Sequence, residues 1–244
     1  MKRIAVITGA SSGIGAATAR ALAPDFTVYC AARRTERIEA LAGEIGGVAV
    51  TCDVTDPAQV AHLAGVVGDR VDLLVNNAGG AIGQEPLAVD DIDTWSTTFG
   101  LNVIATARVT QALLPALRNA EGTIVFMSST AAEAPYEGGA AYCGAKSAVR
   151  SMAGALRLEL AGEPIRVCEI SPGMVHTAEF SLNRFGGDQA RADAVYAGVA
   201  EPLTDSDIAD AIVWMATRPA HVNIDRMVIR PRAQAANHKV FRVL

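Results

Sequence analysis

The sequence predicts a single α/β domain built on a parallel sheet with helices on both of its faces. Short β-branched segments alternate with longer segments rich in alanine and leucine along most of the 244 residues, and this order is typical of βαβ units. The candidate strands are near-continuous apolar runs, as strands that are buried on both faces require. One such doubly wound sheet accounts for a chain of this length without a second domain.

Seven strands and six helices are predicted. The strands lie at residues 4–8, 26–31, 48–52, 73–76, 123–127, 166–170 and 227–229. The helices lie at residues 13–23, 34–42, 57–67, 92–118, 140–161 and 206–216.

Two segments fall outside this alternation. Residues 173–203 contain no clear strand, and we expect a structureless loop over a binding site, because long insertions in compact domains usually carry binding residues. The tail after Pro231 is polar and ends in the apolar segment VFRVL. That segment either docks on another subunit or is a frayed end.

Composition excludes several classes of protein. The 26 acidic and 21 basic residues leave a net charge of −5, and no basic run offers a surface for nucleic acid or anionic lipid. No apolar run reaches the ~18 to 20 residues that cross a bilayer, and the run that follows Arg3 is too short for a signal peptide. We therefore expect a cytoplasmic protein that binds neither nucleic acid nor membranes.

The cysteines and histidines do not predict a metal site. None of the four cysteines belongs to a CxxC pair, and we expect all of them to be reduced and buried. They are Cys30, Cys52, Cys143 and Cys168. The four histidines also lack metal-ligand spacing.

A glycine-rich turn joins the first strand to the first helix. Residues 8–15 read TGASSGIG, and glycines in this place allow a tight turn and a close approach of the backbone to a phosphate. The free N–H groups of the helix N-terminus then face that phosphate. The alternative is an ordinary strand–helix turn. The cofactor-binding residues predicted here are Gly9, Ser11, Ser12, Gly13, Ile14 and Gly15.

The residues after the second strand indicate which nicotinamide cofactor the turn would hold. Arg33 and Arg34 stand where an acidic residue would bind the 2′-hydroxyl of NAD, and the first acid that follows is Glu36. Guanidinium groups bind phosphate through bidentate, charge-assisted hydrogen bonds. We therefore predict NADP, the alternative being two arginines that are merely solvated at the start of a helix.

Two further strands end in residues suited to the same cofactor. Asp53 and Val54 follow the third strand, and Asn77, Ala78 and Gly79 follow the fourth. Ligands of open α/β sheets bind at the carboxyl ends of the strands. We expect Asp53 to accept a hydrogen bond from the adenine amino group, and the small Ala78–Gly79 step to let the backbone approach the ribose.

A tyrosine and a lysine provide a candidate acid–base pair. Tyr142 and Lys146 are four residues apart at the start of a predicted helix, so both side chains lie on one face. An unperturbed tyrosine titrates near 10, and a fixed lysine ammonium nearby would lower that pKa.

Two polar residues accompany this pair. Ser129 ends the fifth strand and would hold a substrate oxygen, a role for which its spacing favours it over Ser128. Asn102 lies among apolar residues of a predicted helix, where a buried amide needs partners. Asn102 is either an amide satisfied by its neighbours or the anchor of a water-mediated proton relay to Lys146.

In this order, these motifs resemble those of the single-domain short-chain dehydrogenase/reductases over essentially the whole chain. The matching positions are residues 8–15 and 76–79, Asn102, Ser129, Tyr142 with Lys146, and Ser171-Pro172-Gly173 with Thr177. The resemblance implies a Rossmann-like sheet of about seven strands. It also implies hydride transfer between NAD or NADP and an alcohol or carbonyl carbon of a small molecule.

The same resemblance implies a role for each matching residue. Tyr142 would be the acid–base, Ser129 would orient the substrate and Asn102 would anchor the proton relay. Lys146 would bind the nicotinamide ribose and tune Tyr142, so both residues also contact the cofactor. The residues expected at the nicotinamide end are Pro172, Gly173, Val175 and Thr177.

The second half of the chain resembles one branch of the family more closely. Residues 134–139, 179–181, 184–185, 187–188 and 219–224 are similar to those of NADP-dependent 3-hydroxy acid dehydrogenases, which oxidise serine, allo-threonine and 3-hydroxyisobutyrate-like acids. The branch implies a homotetramer or a homodimer. A carbonyl reductase for another aldehyde, ketone or 3-oxoacyl substrate stays open, as does a non-catalytic NADP sensor.

A substrate carboxylate requires a cation. Four arginines are candidates, and the sequence does not choose among them. They are Arg184, Arg191, Arg230 and Arg232.

Overall fold

The computed structural model describes residues 2–243 and confirms the predicted α/β class. Seven parallel strands form one sheet in the order β3-β2-β1-β4-β5-β6-β7. They are β1 (Arg3–Thr8), β2 (Phe26–Ala32), β3 (Val48–Thr51), β4 (Leu73–Asn76), β5 (Thr123–Met127), β6 (Arg166–Pro172) and β7 (Met227–Ile229). The order reverses between β1 and β4, as in Rossmann-like folds.

The helices cover both faces of the sheet. They are α1 (Gly13–Leu22), α2 (Thr35–Ile45), α3 (Pro57–Val67), α4 (Ile92–Phe99), α5 (Ala105–Ala120), α6 (Ala140–Glu159), α7 (Phe180–Arg184), α8 (Gln189–Tyr196) and α9 (Asp205–Ala216). No helix within residues 2–243 is both long and apolar enough to cross a membrane.

Alternate residues of the buried strands supply two separate cores. In β5, Val125 and Met127 pack with residues of α1 and α9, whereas Ile124 and Phe126 pack with residues of α3, α5 and α6. Successive side chains of a strand point to opposite faces, so a sheet that is covered on both sides needs an apolar residue at nearly every position. All four cysteines are buried free thiols, as predicted, and Cys30, Cys52 and Cys168 belong to these two cores.

Local signals fix where several helices begin and end. Asp56 accepts from the N–H groups of Ala58 and Gln59 at the start of α3, and Pro57 occupies the first turn. Thr204 and Asp207 form a reciprocal capping box at the start of α9. Gly46 ends α2 in the left-handed conformation with φ of 66°.

The predicted helix at residues 92–118 is wrong as a single element. It is divided into α4 and α5 by a π-helical segment, Gly100–Ile104, with Asn102 at its centre. The Asn102 amide donates to the carbonyl oxygens of Gly80 and Thr98, each at 2.8 Å. A short π-helical segment inside an α-helix is called a π-bulge, and π-bulges are frequent at functional sites.

The expectation of a structureless loop at residues 173–203 is also wrong. This segment contains α7 and α8, and its ends are held together by a parallel bridge between Val175 and Leu203. We refer to residues 173–203 as the substrate loop, because the sequence predicts that this segment covers the binding site.

The tail folds back onto its own chain. A hairpin of β8 (Gln234–Ala236) and β9 (Lys239–Val240) is followed by a hydrogen bond from Val243 N–H to the Gly198 carbonyl, 2.8 Å long. The backbone up to Val243 is therefore not a frayed end. The side chains of Phe241 and Val243 are nevertheless exposed, and Leu244 lies outside the described residues.

Two helical glycines, one closely packed and one facing open space, allow a matched test of how tightly α1 packs against the turn that precedes it. A Cβ on Gly15 would lie 2.4 Å from the Gly9 carbonyl oxygen, whereas a Cβ on Gly43 in α2 would meet nothing within 4 Å. Gly15→Ala should lower the free energy of unfolding by about 1–3 kcal/mol through overpacking. Gly43→Ala should raise it by about 0.4–1 kcal/mol through reduced chain entropy. Urea denaturation of both variants measures the difference, and equal shifts would contradict it.

Candidate active site

A cleft of about 1060 Å³ lies at the carboxyl ends of the strands. Most of the predicted site residues line it, and they come from the segments that follow six different strands. They are Gly9, Ser11, Ser12, Gly13, Ile14, Arg33, Arg34, Asp53, Val54, Asn77, Ala78, Gly79, Ser129, Tyr142, Lys146, Pro172, Gly173, Val175 and Thr177. Gly15 and Asn102 are buried and do not line the cleft themselves.

The ends of β1 and β4 are clamped together. The Thr8 hydroxyl accepts from the backbone N–H groups of Asn77 (3.1 Å) and Ala78 (3.0 Å). The Asn77 amide donates in return to the carbonyl oxygens of Thr8 and Gly9. Gly9 has a φ of 68°, and a Cβ there would lie 2.9 Å from the Asn77 side chain. Only glycine suits this position.

The N-terminus of α1 opens onto the cleft. Its N-cap residue, Ser12, makes no side-chain bond to the first turn, and that turn contains no acidic residue. The Ser11 and Ser12 hydroxyls instead accept hydrogen bonds from Arg34. The N–H groups of this turn are left without a side-chain cap, which suits a bound phosphate.

The two arginines after β2 differ in their contacts. Arg34 lies between Ser11, Ser12 and Glu179 of the substrate loop, to which its Nη1 donates at 2.8 and 2.9 Å. The Arg33 guanidinium makes no hydrogen bond or ion pair with another residue of the range 2–243, and its charge helps to lower the pKa of Asp53. Arg33 is the guanidinium that is available for a ligand.

Tyr142 and Lys146 lie side by side on α6, as predicted. The Lys146 Nζ is 5.7 Å from the centre of the Tyr142 ring and donates to the Met127 carbonyl at 2.9 Å. Desolvation by burial lowers the pKa of Lys146 to about 8. The two side chains point to the same part of the cleft.

The pKa of Tyr142 does not follow the expectation. Desolvation by burial raises it above its usual value, reinforced by Tyr136, while hydrogen bonding with Ser129 and the charge of Arg184 lower it. The Tyr142 hydroxyl is therefore protonated at neutral pH, which makes it a proton donor in this arrangement.

The two serines after β5 have different surroundings. Ser129 is partly exposed to the cleft, and its Oγ accepts from the Ala131 N–H at 3.1 Å. Ser128 is buried, and its Oγ has no hydrogen-bond partner among the described residues. The coupling of Ser129 to the pKa of Tyr142 is consistent with the preference for Ser129.

Asn102 is satisfied by its neighbours, one of the two alternatives considered from sequence. Besides its two donated bonds, its Oδ1 accepts from the Gly80 N–H at 3.2 Å. It nonetheless borders the lysine, because a Cβ on Gly79 would lie 2.6 Å from Asn102 Oδ1 and 3.3 Å from Lys146 Nζ. Asn102 thus holds the backbone beside Lys146.

Of the four arginines, Arg184 is placed best for an anionic substrate. Its Nε donates to the Gly83 carbonyl at 2.8 Å and its Nη1 to the Tyr136 hydroxyl at 3.1 Å. Its Nη2 is buried and has no partner among the described residues. The residue as a whole is half-buried, and a guanidinium nitrogen that is buried with unused N–H donors is ready for a carboxylate. Phe180, at the other end of α7, lies edge-on to Tyr142 with ring centres 6.0 Å apart.

The other three arginines are engaged elsewhere. Arg191 pairs with Glu85 at 3.1 Å, Arg230 pairs with Glu133 at 2.8 Å, and the exposed Arg232 approaches Glu201 at 3.4 Å.

Sequence reasoning missed two residues of the cleft. Gln234 in β8 accepts from the Met174 N–H at 2.9 Å, and Glu179 binds two arginines. Neither residue belongs to a sequence motif, and the residues that they contact are distant in sequence.

Comparisons with known proteins agree with this geometry. A family model described as short chain dehydrogenase matches residues 3–184. An uncharacterized oxidoreductase of Mycobacterium tuberculosis is 55% identical over 237 residues, which are 96% of this chain and 93% of that protein. Serine 3-dehydrogenase of Agrobacterium fabrum is 40% identical over 244 residues, covering 97% of each protein.

A solved structure described as the closed form of serine dehydrogenase complexed with NADP+ matches with a TM-score of 0.92. Its sequence identity is 33%, and the match covers 99% of this chain and 100% of the other. The family match includes six of the seven strands and helix α6, and the relatives match nearly end to end. The chain therefore belongs to the short-chain dehydrogenase family.

Proposed function

We propose that this protein is an NADP-dependent dehydrogenase that interconverts a small 3-hydroxy acid, such as serine, allo-threonine or 3-hydroxyisobutyrate, and the matching carbonyl acid. The observation that carries the proposal is the unpartnered Nη2 of Arg184, in the same cleft as Tyr142. It would bind the carboxylate while the 3-hydroxyl meets Tyr142 and Ser129. The names of the serine dehydrogenase relatives support the same class of substrate.

The residues of the cleft fit NADP. The uncapped first turn of α1 and the glycine positions that a Cβ would block suit the pyrophosphate. Asp53 would meet the adenine, and Asn77, Ala78 and Gly79 the ribose. The available Arg33 suits a 2′-phosphate, and Lys146 suits the hydroxyls of the nicotinamide ribose. Pro172, Gly173, Val175 and Thr177 would border the nicotinamide, which accepts or supplies the hydride when the cofactor is bound.

The chain's own residues would handle the proton. In reduction, the protonated Tyr142 donates to the carbonyl oxygen as charge develops there, and Ser129 donates a second hydrogen bond to the same oxygen. In oxidation, the Tyr142 phenolate takes the hydroxyl proton, and the Lys146 ammonium stabilises that phenolate. Asn102 would keep Lys146 in place. It would also anchor a water-mediated proton relay between Lys146 and the solvent.

A substrate panel tests the function directly. Purified protein with NADP+ should reduce the cofactor, measured at 340 nm, with L-serine, L-allo-threonine or 3-hydroxyisobutyrate. An uncharged secondary alcohol should react poorly, since it leaves Arg184 unpaired. Turnover of the neutral alcohol alone would keep the chemistry and point to a carbonyl reductase with another substrate. Cofactor binding without turnover of any alcohol would point to a sensor.

Removing the Arg184 guanidinium should weaken the binding of acid substrates but not of neutral ones. Arg184→Gln should raise the KM for the 3-hydroxy acid about 10- to 100-fold, the worth of a hydrogen bond to a charged group, while the KM for NADP+ changes little. Arg191→Gln, which removes a charge from the same loop, is the matched control and should behave like the wild type. A similar increase in KM for acid and for neutral substrates would contradict the role of Arg184.

The raised pKa of Tyr142 predicts that the rate depends on pH differently in the two directions. Oxidation needs the phenolate, so kcat/KM should rise with pH through neutrality by up to about tenfold per unit. Reduction needs the protonated phenol and should stay level over the same range. Tyr142→Phe should lower kcat about 10²- to 10⁴-fold in both directions. Steady-state assays between pH 6 and 10 check this, and a rate of oxidation that falls with pH would contradict it.

A further inference from the structure

Glu179 lies where the substrate loop meets the cofactor pocket. Its carboxylate accepts from Nη1 of Arg34 at 2.8 and 2.9 Å and also pairs with Arg37. Only about a fifth of its side chain is exposed (21%). Burial alone would raise the pKa of Glu179, but hydrogen bonds from Arg37, Ser12 and Arg34 lower it to about 2. The carboxylate is therefore charged throughout the neutral range.

This contact, together with the two serines, engages all three nitrogens of Arg34. A guanidinium has five N–H donors. In Arg34, Nε donates to Ser11, Nη2 donates to Ser11 and Ser12, and Nη1 donates to both oxygens of Glu179. A phosphate that binds Arg34 must therefore displace a serine hydroxyl or the Glu179 carboxylate, whereas Arg33 has no such partner to displace.

Either case makes Glu179 oppose a 2′-phosphate. If the carboxylate stays, it repels a dianion that binds to the adjacent arginines. If the carboxylate leaves, its ion pairs with Arg34 and Arg37 must be broken first. A 2′-hydroxyl, as in NAD, carries no charge and meets neither cost. The partial exposure of Arg34 (40%) and Arg37 (54%) keeps the effect moderate.

We propose that Glu179 is a specificity-determining residue that weakens 2′-phosphate binding and so limits the preference for NADP over NAD. The proposal rests on the NADP-dependent function proposed above. It also assigns Arg34 a part beyond phosphate binding, because Arg34 joins the glycine-rich turn to the substrate loop. The contact between the loop and the turn extends to Thr177, whose side chain lies 3.5 Å from where a Cβ on Gly13 would be.

The test is a ratio of dissociation constants. Isothermal titration calorimetry would measure Kd for NADP+ and for NAD+ on the full-length wild type and on Glu179→Gln, without substrate. Loosening the loop affects both cofactors alike, so the ratio Kd(NAD+)/Kd(NADP+) isolates the charge at the 2′ position. Removing one negative charge beside the phosphate should raise this ratio about three- to tenfold.

Two variants serve as controls. Glu85→Gln breaks the ion pair between Glu85 and Arg191 of the substrate loop, away from Arg34, and should leave the ratio unchanged. Glu179→Asp keeps the charge and should stay nearer to the wild-type ratio than Glu179→Gln does.

The outcomes separate the two proposals. A wild type that prefers NADP+, with the same or a lower ratio in Glu179→Gln, would overturn the role of Glu179 and leave the proposed function standing. A wild type that binds NAD+ more tightly would overturn the NADP-dependent function, and the role of Glu179 would fall with it only where the ratio also fails to rise in Glu179→Gln.

Discussion

The site depends on the hydrogen bonds that join the ends of β1 and β4. These strands are neighbours in the sheet, but their connections run in opposite directions, so a crevice must open where they separate. The Thr8 hydroxyl and the Asn77 amide bridge this crevice at its base. They align the turn that would hold the pyrophosphate with the turn that would hold the ribose. Without this clamp the two turns would be independent loops.

Two cations set the chemistry above this base. Lys146 on α6 is buried, and Arg184 at the end of α7 is half-buried with its Nη2 shielded from solvent. The lysine is held by the Met127 carbonyl, while the arginine keeps two N–H donors unused. Burial without a full set of partners is costly for stability. Such groups are expected where a charged ligand completes the set.

Much of the fold and the cofactor pocket could be predicted because the signals are local. The apolar strands, the glycine turn of residues 8–15 and the residues at the strand ends need only spacing along the chain. The division of the helix around Asn102 could not be predicted, since it depends on hydrogen bonds to Gly80, far away in sequence. Arg184 could not be chosen over Arg230 for the same reason, because the choice depends on Glu133 pairing with Arg230.

The substrate loop shows why these long-range contacts matter. Glu179 immediately precedes α7 and Arg184 is its last residue, so a helix only about 8 Å long connects the arginines of the cofactor pocket to the guanidinium proposed for the substrate. Phe180, on the same helix, contacts the Tyr142 ring. The ion pairs of Glu179, the aromatic contact of Phe180 and the hydrogen bonds of Arg184 are therefore carried by one short element. The carboxylate proposed to oppose the 2′-phosphate and the guanidinium proposed for the substrate share this helix, which is why neither role could be assigned from local sequence alone.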